Sequence, residues 1–441
     1  MHDGLATPQV PTTPNSDTDD RPLTYTSEAS VRSGEKEAAS ASNKTLRSSR
    51  WLERRIIEYL FDAIGRPRIQ FVLWDGTVIG SPTPAGQVVI HQPGLLPRLA
   101  WNPNLAFGEA YSDGTISIRG DLRSVLVEVN RGLSVIRASQ HRRPTIRFTR
   151  SSHSLAKSKS SVHHHYDLGN DFYRLWLDER MVYTCAYYPK PDSTLEEAQV
   201  AKLDYVCRKL RLKPGERVAE AGCGWGALAL HMARHYGVSV QAYNLSTEQV
   251  EHARQWAARE GLSDRVQFVQ DDYRHLTGQF DAFVSVGMLE HVGPENYREM
   301  GQLISRVLTP TGRGLIHSIG RNVARPLDPW TDKYIFPGAH PPSLREMMDL
   351  FEDSGLSVLD VENLRLHYAR TCSDWLTRFD NVADQVATMF DERFVRMWRL
   401  YLAASSATFE TGDLQLFQVL FTRDSNNTIP TTRADWYAET S

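Results

Sequence analysis

The chain has 441 residues, which at about 150 residues per domain allows two or three domains with real cores. Hydrophobic residues are 41% and charged residues 23% of the total, with a formal net charge of -3, which excludes a wholly disordered or collagen-like chain and gives no bulk basic charge to suggest nucleic acid. Cys185, Cys207, Cys223 and Cys372 form no Cys-x-x-Cys pair and are too few for a disulfide framework, so free thiols in a reducing compartment are expected. No run reaches the roughly 18 to 20 apolar residues that span a bilayer, and Met1 to Gly4 opens neither a basic region nor an apolar signal core. A cytoplasmic protein with peripheral lipid contact at most is the expectation.

Residues 1–45 are rich in Pro, Thr, Ser, Asp and Glu and bury too little to offset ordering entropy, so they read as a disordered tail. Residues 46–136 read as a small α+β domain. Trp51 to Ile64 has helical periodicity (Leu52, Ile56, Ile57, Leu60, Phe61) with Gly65 as its stop. Strands are predicted at Ile69 to Trp74, Gln87 to His91 and Ser112 to Ile118, between turn signals at Asp75-Gly76, Pro93-Gly94 and Asp113-Gly114. Residues 137–161 carry Arg137, Arg142, Arg143, Arg147, Arg150, Lys157 and Lys159 with no acid, and read as a basic linker. It is either a solvated connection or an attraction to anionic lipid, worth about 1 kcal/mol per charge at the surface.

Residues 162–425 alternate strands with helices, the pattern of a parallel sheet covered on both faces. Strands are predicted at Arg217 to Ala221, Val238 to Tyr243, Val266 to Gln270, Phe280 to Val286 and Gly314 to Ile319. Helices are predicted at Leu228 to Tyr236, Thr247 to Glu260 and Glu295 to Val307. Leu356 to Leu364 and Leu414 to Phe421 read as two further strands, separated by a long aromatic-rich helical region from Trp375 to Phe409. Residues 426–441 read as a C-terminal tail.

Chemistry concentrates in a few places. Gly222-Cys223-Gly224-Trp225-Gly226 lies between a strand and a helix, where glycines let backbone approach a ligand at a helix N-terminus. The spacing is neither Gly-x-Gly-x-x-Gly nor a P-loop. Following a strand that carries Glu220, it is the phosphate-free pattern of S-adenosylmethionine binders, although a ligand-free turn gives the same spacing. His163, His164 and His165 invite a metal reading, but adjacent residues point apart and no carboxylate or Cys cluster accompanies them.

Several motifs together resemble the cyclopropane-fatty-acyl-phospholipid synthases and mycolic acid cyclopropane synthases. They are His165 to Phe172, Tyr183 to Tyr187, Ala201-Lys202-Leu203, Gly222 to Gly226, Gly287 to Gly293, Leu315 to Gly320 and Lys333 to Gly338. The likeness runs from about His165 to Arg423, and the preceding small domain resembles the N-terminal lobe of the phospholipid-acting bacterial members. It implies a Rossmann-like class I methyltransferase of α/β fold with a helical acyl-binding region. The implied reaction transfers a methyl group from S-adenosylmethionine to a cis double bond of a phospholipid acyl chain at a membrane surface, giving a cyclopropane.

The resemblance also implies a bound bicarbonate as the base, held by Cys185, Glu290, His317, Ile319 and Tyr368. Glu290 beside an anion would carry a raised pKa, because only a protonated carboxyl donates a hydrogen bond. Cofactor contacts are implied for Tyr183, Thr184, Val218, Glu220, Gly222, Gly224, Gly226, Asn244, Leu245, Gln249, Tyr273 and Arg274. Three positions depart from the family: Glu220 for Asp, Asn244 for Thr and Ser405 for Cys. Two alternatives stay open, a methyl-branched or methylene product from the same site and a non-catalytic lipid-binding protein. No nucleic acid is expected, and a homodimer is an option the sequence leaves open.

Overall fold

The computed structural model describes residues 51–139 and 168–437. The expected tail at 1–45, the linker from 140 onward and the His163 to His165 run lie outside them.

The small N-terminal portion opens with α1 (Trp51–Ala63), whose Ile57, Leu60 and Phe61 are buried. A four-stranded sheet follows in the order β2-β1-β3-β4, with β1 at Gln70–Val72, β2 at Val78–Gly80, β3 at Gly86–Ile90 and β4 at Ile116–Gly120. The predicted strand from Ser112 begins later than expected, since α2 (Leu96–Trp101) and α3 (Pro103–Ser112) occupy the preceding stretch. Helix α3 escapes a periodicity reading because small residues, Ala106, Gly108 and Ala110, form much of its buried surface. Pro103 at its first turn and the Asn102 side chain, which accepts from the Leu105 amide, start it. Helix α4 (Leu122–Ser139) closes this portion. Arg137, expected in the linker, stands in its last turn and pairs with Asp413.

The larger portion is built on a seven-stranded sheet in the order β10-β11-β9-β8-β5-β6-β7. The strands are β5 (Arg217–Ala221), β6 (Ser239–Asn244), β7 (Val266–Gln270), β8 (Phe280–Val286), β9 (Leu308–Gly320), β10 (Leu356–Asn363) and β11 (Gln415–Arg423). From β9 through β7 all neighbours are parallel, whereas β11 is antiparallel to both β9 and β10. Strand β8 is buried along nearly its whole length, as in a sheet covered on both faces. The chain order reverses between β5 and β8, so the crevice at their carboxyl ends is the place where such sheets bind ligands.

Helices α5 (Asn170–Arg174), α6 (Leu195–Lys209), α7 (Ala227–Tyr236), α8 (Thr247–Arg259), α9 (Tyr297–Val307), α10 (Pro329–Tyr334) and α11 (Leu344–Met347) connect or cover the strands. The long helical region is three helices that begin earlier than expected: α12 (Arg365–Asn381), α13 (Ala383–Met389) and α14 (Glu392–Thr411). The expected C-terminal tail carries α15 (Ala434–Tyr437), with Trp436 buried.

Both sheets belong to one compact unit. Helix α14 joins them: Arg396 donates to the carbonyls of Tyr111 and Ile116 at 2.6 and 2.8 Å, and Arg123 donates to Ser406 at 2.8 Å. On its other side α14 enters an aromatic cluster of Phe172, Tyr173, Trp176, Trp375, Trp398 and Tyr401, with neighbouring rings mostly edge-on or tilted. Edge-on packing puts positive ring edges against negative faces, which adds to the burial of these large side chains.

Candidate active site

The glycine loop leaves β5 and enters α7. Gly222, Gly224 and Gly226 have φ of 82, 53 and 92°, a region that other residues enter at a cost of about 1–2 kcal/mol. A Cβ built at Gly226 would lie 2.7 Å from the Phe268 ring, so packing alone demands glycine there. At Gly224 it would meet nothing within 4 Å, so the open space on that side suits a bound molecule.

Of the predicted cofactor residues, Asn244 is bonded to this loop directly. The Asn244 side-chain amide donates to the Gly224 carbonyl at 3.1 Å and to Gln249 Oε1 at 2.8 Å, while its oxygen accepts from the Ser246 amide. Asn244 therefore ties the β6 end to the loop. Leu245 follows it, half-buried, in the turn before α8. Val218 and Glu220 are buried on β5. Burial raises the Glu220 carboxyl to about 8, against the pull of the Lys202 ammonium, and Glu220 Oε2 has no hydrogen-bond partner. Nor does the buried Gln249 Nε2.

Tyr183 reaches the loop through Tyr173, whose ring lies 5.4 Å from Tyr183 and 5.0 Å from Trp225, and its hydroxyl meets that of Tyr401 at 2.7 Å. Thr184 Oγ1 accepts from Lys202 Nζ at 2.9 Å. Tyr273 and Arg274 stand in a short turn after β7, with the guanidinium 5.5 Å from the Tyr273 ring centroid, and Tyr273 packs in one cluster with Tyr243. The open glycine cradle and the unpaired Glu220 and Gln249 atoms fit S-adenosylmethionine.

Of the five other predicted residues, Glu290 bonds to Ile319, and Cys185, Ile319 and Tyr368 pack together. Glu290, in a helical turn after β8, accepts at Oε1 from the Ile319 amide at 2.5 Å, and its Oε2 is buried without a partner. Burial pushes its carboxyl up to about 7, while the Ile319 N–H pulls the other way. The Ile319 amide, expected to face the anion, is thus committed to Glu290. His317 lies two residues earlier on β9; Nδ1 meets Gln418 Nε2 at 3.1 Å and the buried Nε2 has no partner. Burial holds this imidazole well below its usual pKa, so it is neutral.

Cys185 packs in one cluster with Ile319 and Tyr368. Its thiol donates to the Ala186 carbonyl, and burial pushes its pKa far up, so it is no nucleophile. Tyr368 follows β10 in the first turn of α12, stacked on Phe409 at 4.4 Å and edge-on to Trp375. Burial raises its phenol well above the usual value, with contributions from Cys185 and Glu290. Glu290 Oε2 and His317 Nε2 are thus buried with no partner among the described residues, while Ile319 and Tyr368 pack against the aromatic cluster. A buried anion needs such donors, and ring faces favour positive charge.

Lys202 and Gln199 were missed as site residues. Gln199 donates to the carbonyls of Val182 and Thr184, fixing the segment that carries Tyr183, Thr184 and Cys185. Burial lowers Lys202 to about 8, with Asp178 opposing. The available signal was two polar residues three apart among the apolar positions of α6. Two hollows, of about 660 and 520 Å³, lie elsewhere. Charged side chains such as Arg174, Arg378 and Glu196 line the first, and Arg211, Arg313 and Asp435 the second, so neither suits an acyl chain. Among the described residues no His, Cys, Asp and Glu group could hold a metal, and no helix is long and apolar enough to cross a membrane.

The family described as mycolic acid cyclopropane synthetase matches residues 153–419, and a domain of unknown function matches residues 56–137. A probable fatty acid methyltransferase of Pseudomonas putida is 36% identical over 381 residues, covering 84% of this chain and 96% of its own. The cyclopropane-fatty-acyl-phospholipid synthase of Escherichia coli K12 is 38% identical over 357 residues, covering 80% of this chain and 91% of its own. The crystal structure of mycolic acid cyclopropane synthase CmaA1 complexed with SAH and CTAB superposes with a TM-score of 0.57 at 30% identity, covering 60% of this chain and 98% of that one. The chain belongs to the mycolic acid cyclopropane synthetase family and is an S-adenosylmethionine-dependent methyltransferase of the cyclopropane synthase type.

Proposed function

We propose that this enzyme converts a cis double bond in an acyl chain of a membrane phospholipid into a cyclopropane, with bicarbonate bound between Glu290, His317 and Tyr368. The observation that carries the reading is the pair of unpaired, buried polar atoms, Glu290 Oε2 and His317 Nε2, with Ile319 and Tyr368 packed against the aromatic cluster. Phospholipid is favoured over other acyl carriers by the small N-terminal portion. The E. coli phospholipid synthase aligns over 80% of this chain, whereas CmaA1 covers only 60%.

S-adenosylmethionine supplies an electrophilic methyl group when bound, and the residues holding it are those around the glycine loop. Attack by the olefin would form one carbon–carbon bond as the sulfur–methyl bond breaks, releasing S-adenosylhomocysteine and leaving a cation on the acyl chain. Trp375, Trp398 and Tyr401 keep water from that cation and face it with ring electrons. Glu290, His317 and Tyr368 would hold the bicarbonate, which would supply a base for the proton lost from the new methyl group as the second ring bond closes. Burial keeps Tyr368 protonated and keeps Glu290 protonated below about pH 7, and in that form both can donate hydrogen bonds to that anion.

The chain reaches this site from a bilayer, so the protein works docked to a membrane surface. A second outcome, methylation without ring closure, is favoured by the name of the Pseudomonas putida relative. Incubation with methyl-labelled cofactor and vesicles of cis-unsaturated phospholipid, followed by chromatography and mass spectrometry of the released chains, decides between them. A cyclopropane supports the proposal; a methyl-branched or methylene chain overturns it in favour of the second reading.

A further inference from the structure

Strand β11 contains a polar residue that its packing does not explain. Gln418 is fully buried between Phe417 and Val419 in a strand otherwise rich in Leu, Phe and Val. It is directly paired with His317 on β9 and with Glu362 on β10. Glu362, Gln418 and His317 thus form one polar row across three adjacent strands. Lys209, the last residue of α6 and itself buried, sits over this row. Its Nζ donates to Glu362 Oε2 at 2.5 Å and to Gln418 Oε1 at 2.8 Å, and the Tyr205 hydroxyl donates to the same Glu362 oxygen at 2.9 Å.

The hydrogen-bond inventory fixes the protons along this row. An ammonium only donates, so Gln418 must turn its oxygen toward Lys209 and its NH2 toward His317. An NH2 only donates, so Nδ1 of His317, 3.1 Å away, must offer a lone pair. His317 is neutral and carries one ring proton, which is left on Nε2, the nitrogen with no partner among the described residues. Burying a lysine and a glutamine where leucines would pack costs several kcal/mol unless every group is satisfied. That cost is understandable if the row has a task.

We infer that Lys209 and Gln418 are positioning residues that hold His317 as its Nε2–H tautomer, making its inward nitrogen a permanent hydrogen-bond donor. The inference rests on the proposed role of His317 beside the anion and deepens it. With a proton already on Nε2, His317 cannot accept the proton released at ring closure; it orients the anion that does. An amide passes no proton onward in the ground state, so the row is a strut and not a proton exit.

Nitrogen-15 and carbon-13 labelling of the histidines tests this, with the His317 signals assigned by their loss in His317→Asn. The wild-type protein should show a protonated Nε2 and an unprotonated Nδ1 throughout the pH range in which it is folded. In Gln418→Glu the carboxylate accepts from both Lys209 and Nδ1–H, so the tautomer should invert and kcat should fall about 10- to 100-fold, as on loss of one preorganised donor. Affinity for S-adenosylhomocysteine should stay within about twofold, because the row lies outside the glycine loop. Lys209→Met frees the amide to turn, and both tautomers should appear with an intermediate kcat.

An Nδ1–H signal assigned to His317 in the wild type overturns the inference whatever the Lys209 and Gln418 variants do. So does Gln418→Glu or Lys209→Met with an inverted or mixed tautomer and wild-type kcat, while His317→Asn is inactive. Wild-type kcat in His317→Asn instead overturns the proposed site itself.

Discussion

Replacing Glu290 by Gln should weaken the enzyme and strengthen the fold. The carboxyl is buried, its Oε1 accepts from the Ile319 amide and its Oε2 has no partner. Gln keeps the acceptor at Oε1 and removes the ionisable proton. Burial raises the carboxyl from 4.5 to about 7. Below pH 4.5 both folded and unfolded chains hold the proton, and this group's contribution to stability is fully present. As the pH rises from 4.5 the unfolded chain loses its proton first, and stability declines until the folded carboxyl ionises near pH 7. Above that the parent buries a charge at a cost of about 3 kcal/mol. The variant escapes this cost, so its melting temperature should exceed the parent's by roughly 3 to 4 °C at pH 8 for a chain of this length, and the gap should close toward pH 5. The carboxyl of Glu220, also raised, is common to both proteins and cancels. Calorimetry of cofactor-free protein across this range reads the gap. Turnover should fall at least about 100-fold with unchanged affinity for S-adenosylhomocysteine. A variant less stable than its parent at pH 8, or a gap independent of pH, would refute the burial argument, and equal loss of cofactor affinity would move Glu290 to the other site.

Gly224→Ala places a methyl in the open side of the loop at a φ of 53°. It should weaken cofactor binding at least about tenfold by calorimetry while lowering stability by only about 1–2 kcal/mol; wild-type affinity would remove the loop from the pocket. Cys185, fully buried with its pKa far raised, should resist iodoacetamide in the native protein at neutral pH, and rapid alkylation read by mass spectrometry would contradict its packing. Arg396→Met removes two bonds to the carbonyls of Tyr111 and Ile116 and should cost about 2–4 kcal/mol in denaturant unfolding; no loss would mean that α14 holds the small portion by other contacts. Replacing Arg142, Arg143, Arg147 and Arg150 by Gln should weaken sedimentation with anionic vesicles at low salt and leave neutral vesicles unaffected, and identical binding would make the segment a plain connection.

Local patterns made much of the large sheet legible. Strands β5, β7 and β8 coincide with their predicted runs, and the glycine loop lies where β5 meets α7. Glu290 and His317, implied by contiguous motifs, stand in the turn after β8 and near the end of β9. Features set by distant packing were not legible. Helix α3 buries small residues that carry no apolar period, and β2 has only three residues, none of them fully buried. Arg137 reads as linker because its partner, Asp413, belongs to the other portion. The row from Lys209 to His317 joins positions 209 and 101 residues apart in sequence, and only the antiparallel seat of β11 brings them together. Its one local trace was a glutamine in an apolar strand.

The central claim is that an unsaturated phospholipid chain is the methyl acceptor. Release of S-adenosylhomocysteine by the purified enzyme, measured against vesicles identical in headgroup but carrying either cis-unsaturated or fully saturated chains, tests it most directly. The account predicts steady release with the unsaturated vesicles and background with the saturated ones, in both cases with bicarbonate in the buffer. Equal release from both, or none from either, would contradict it.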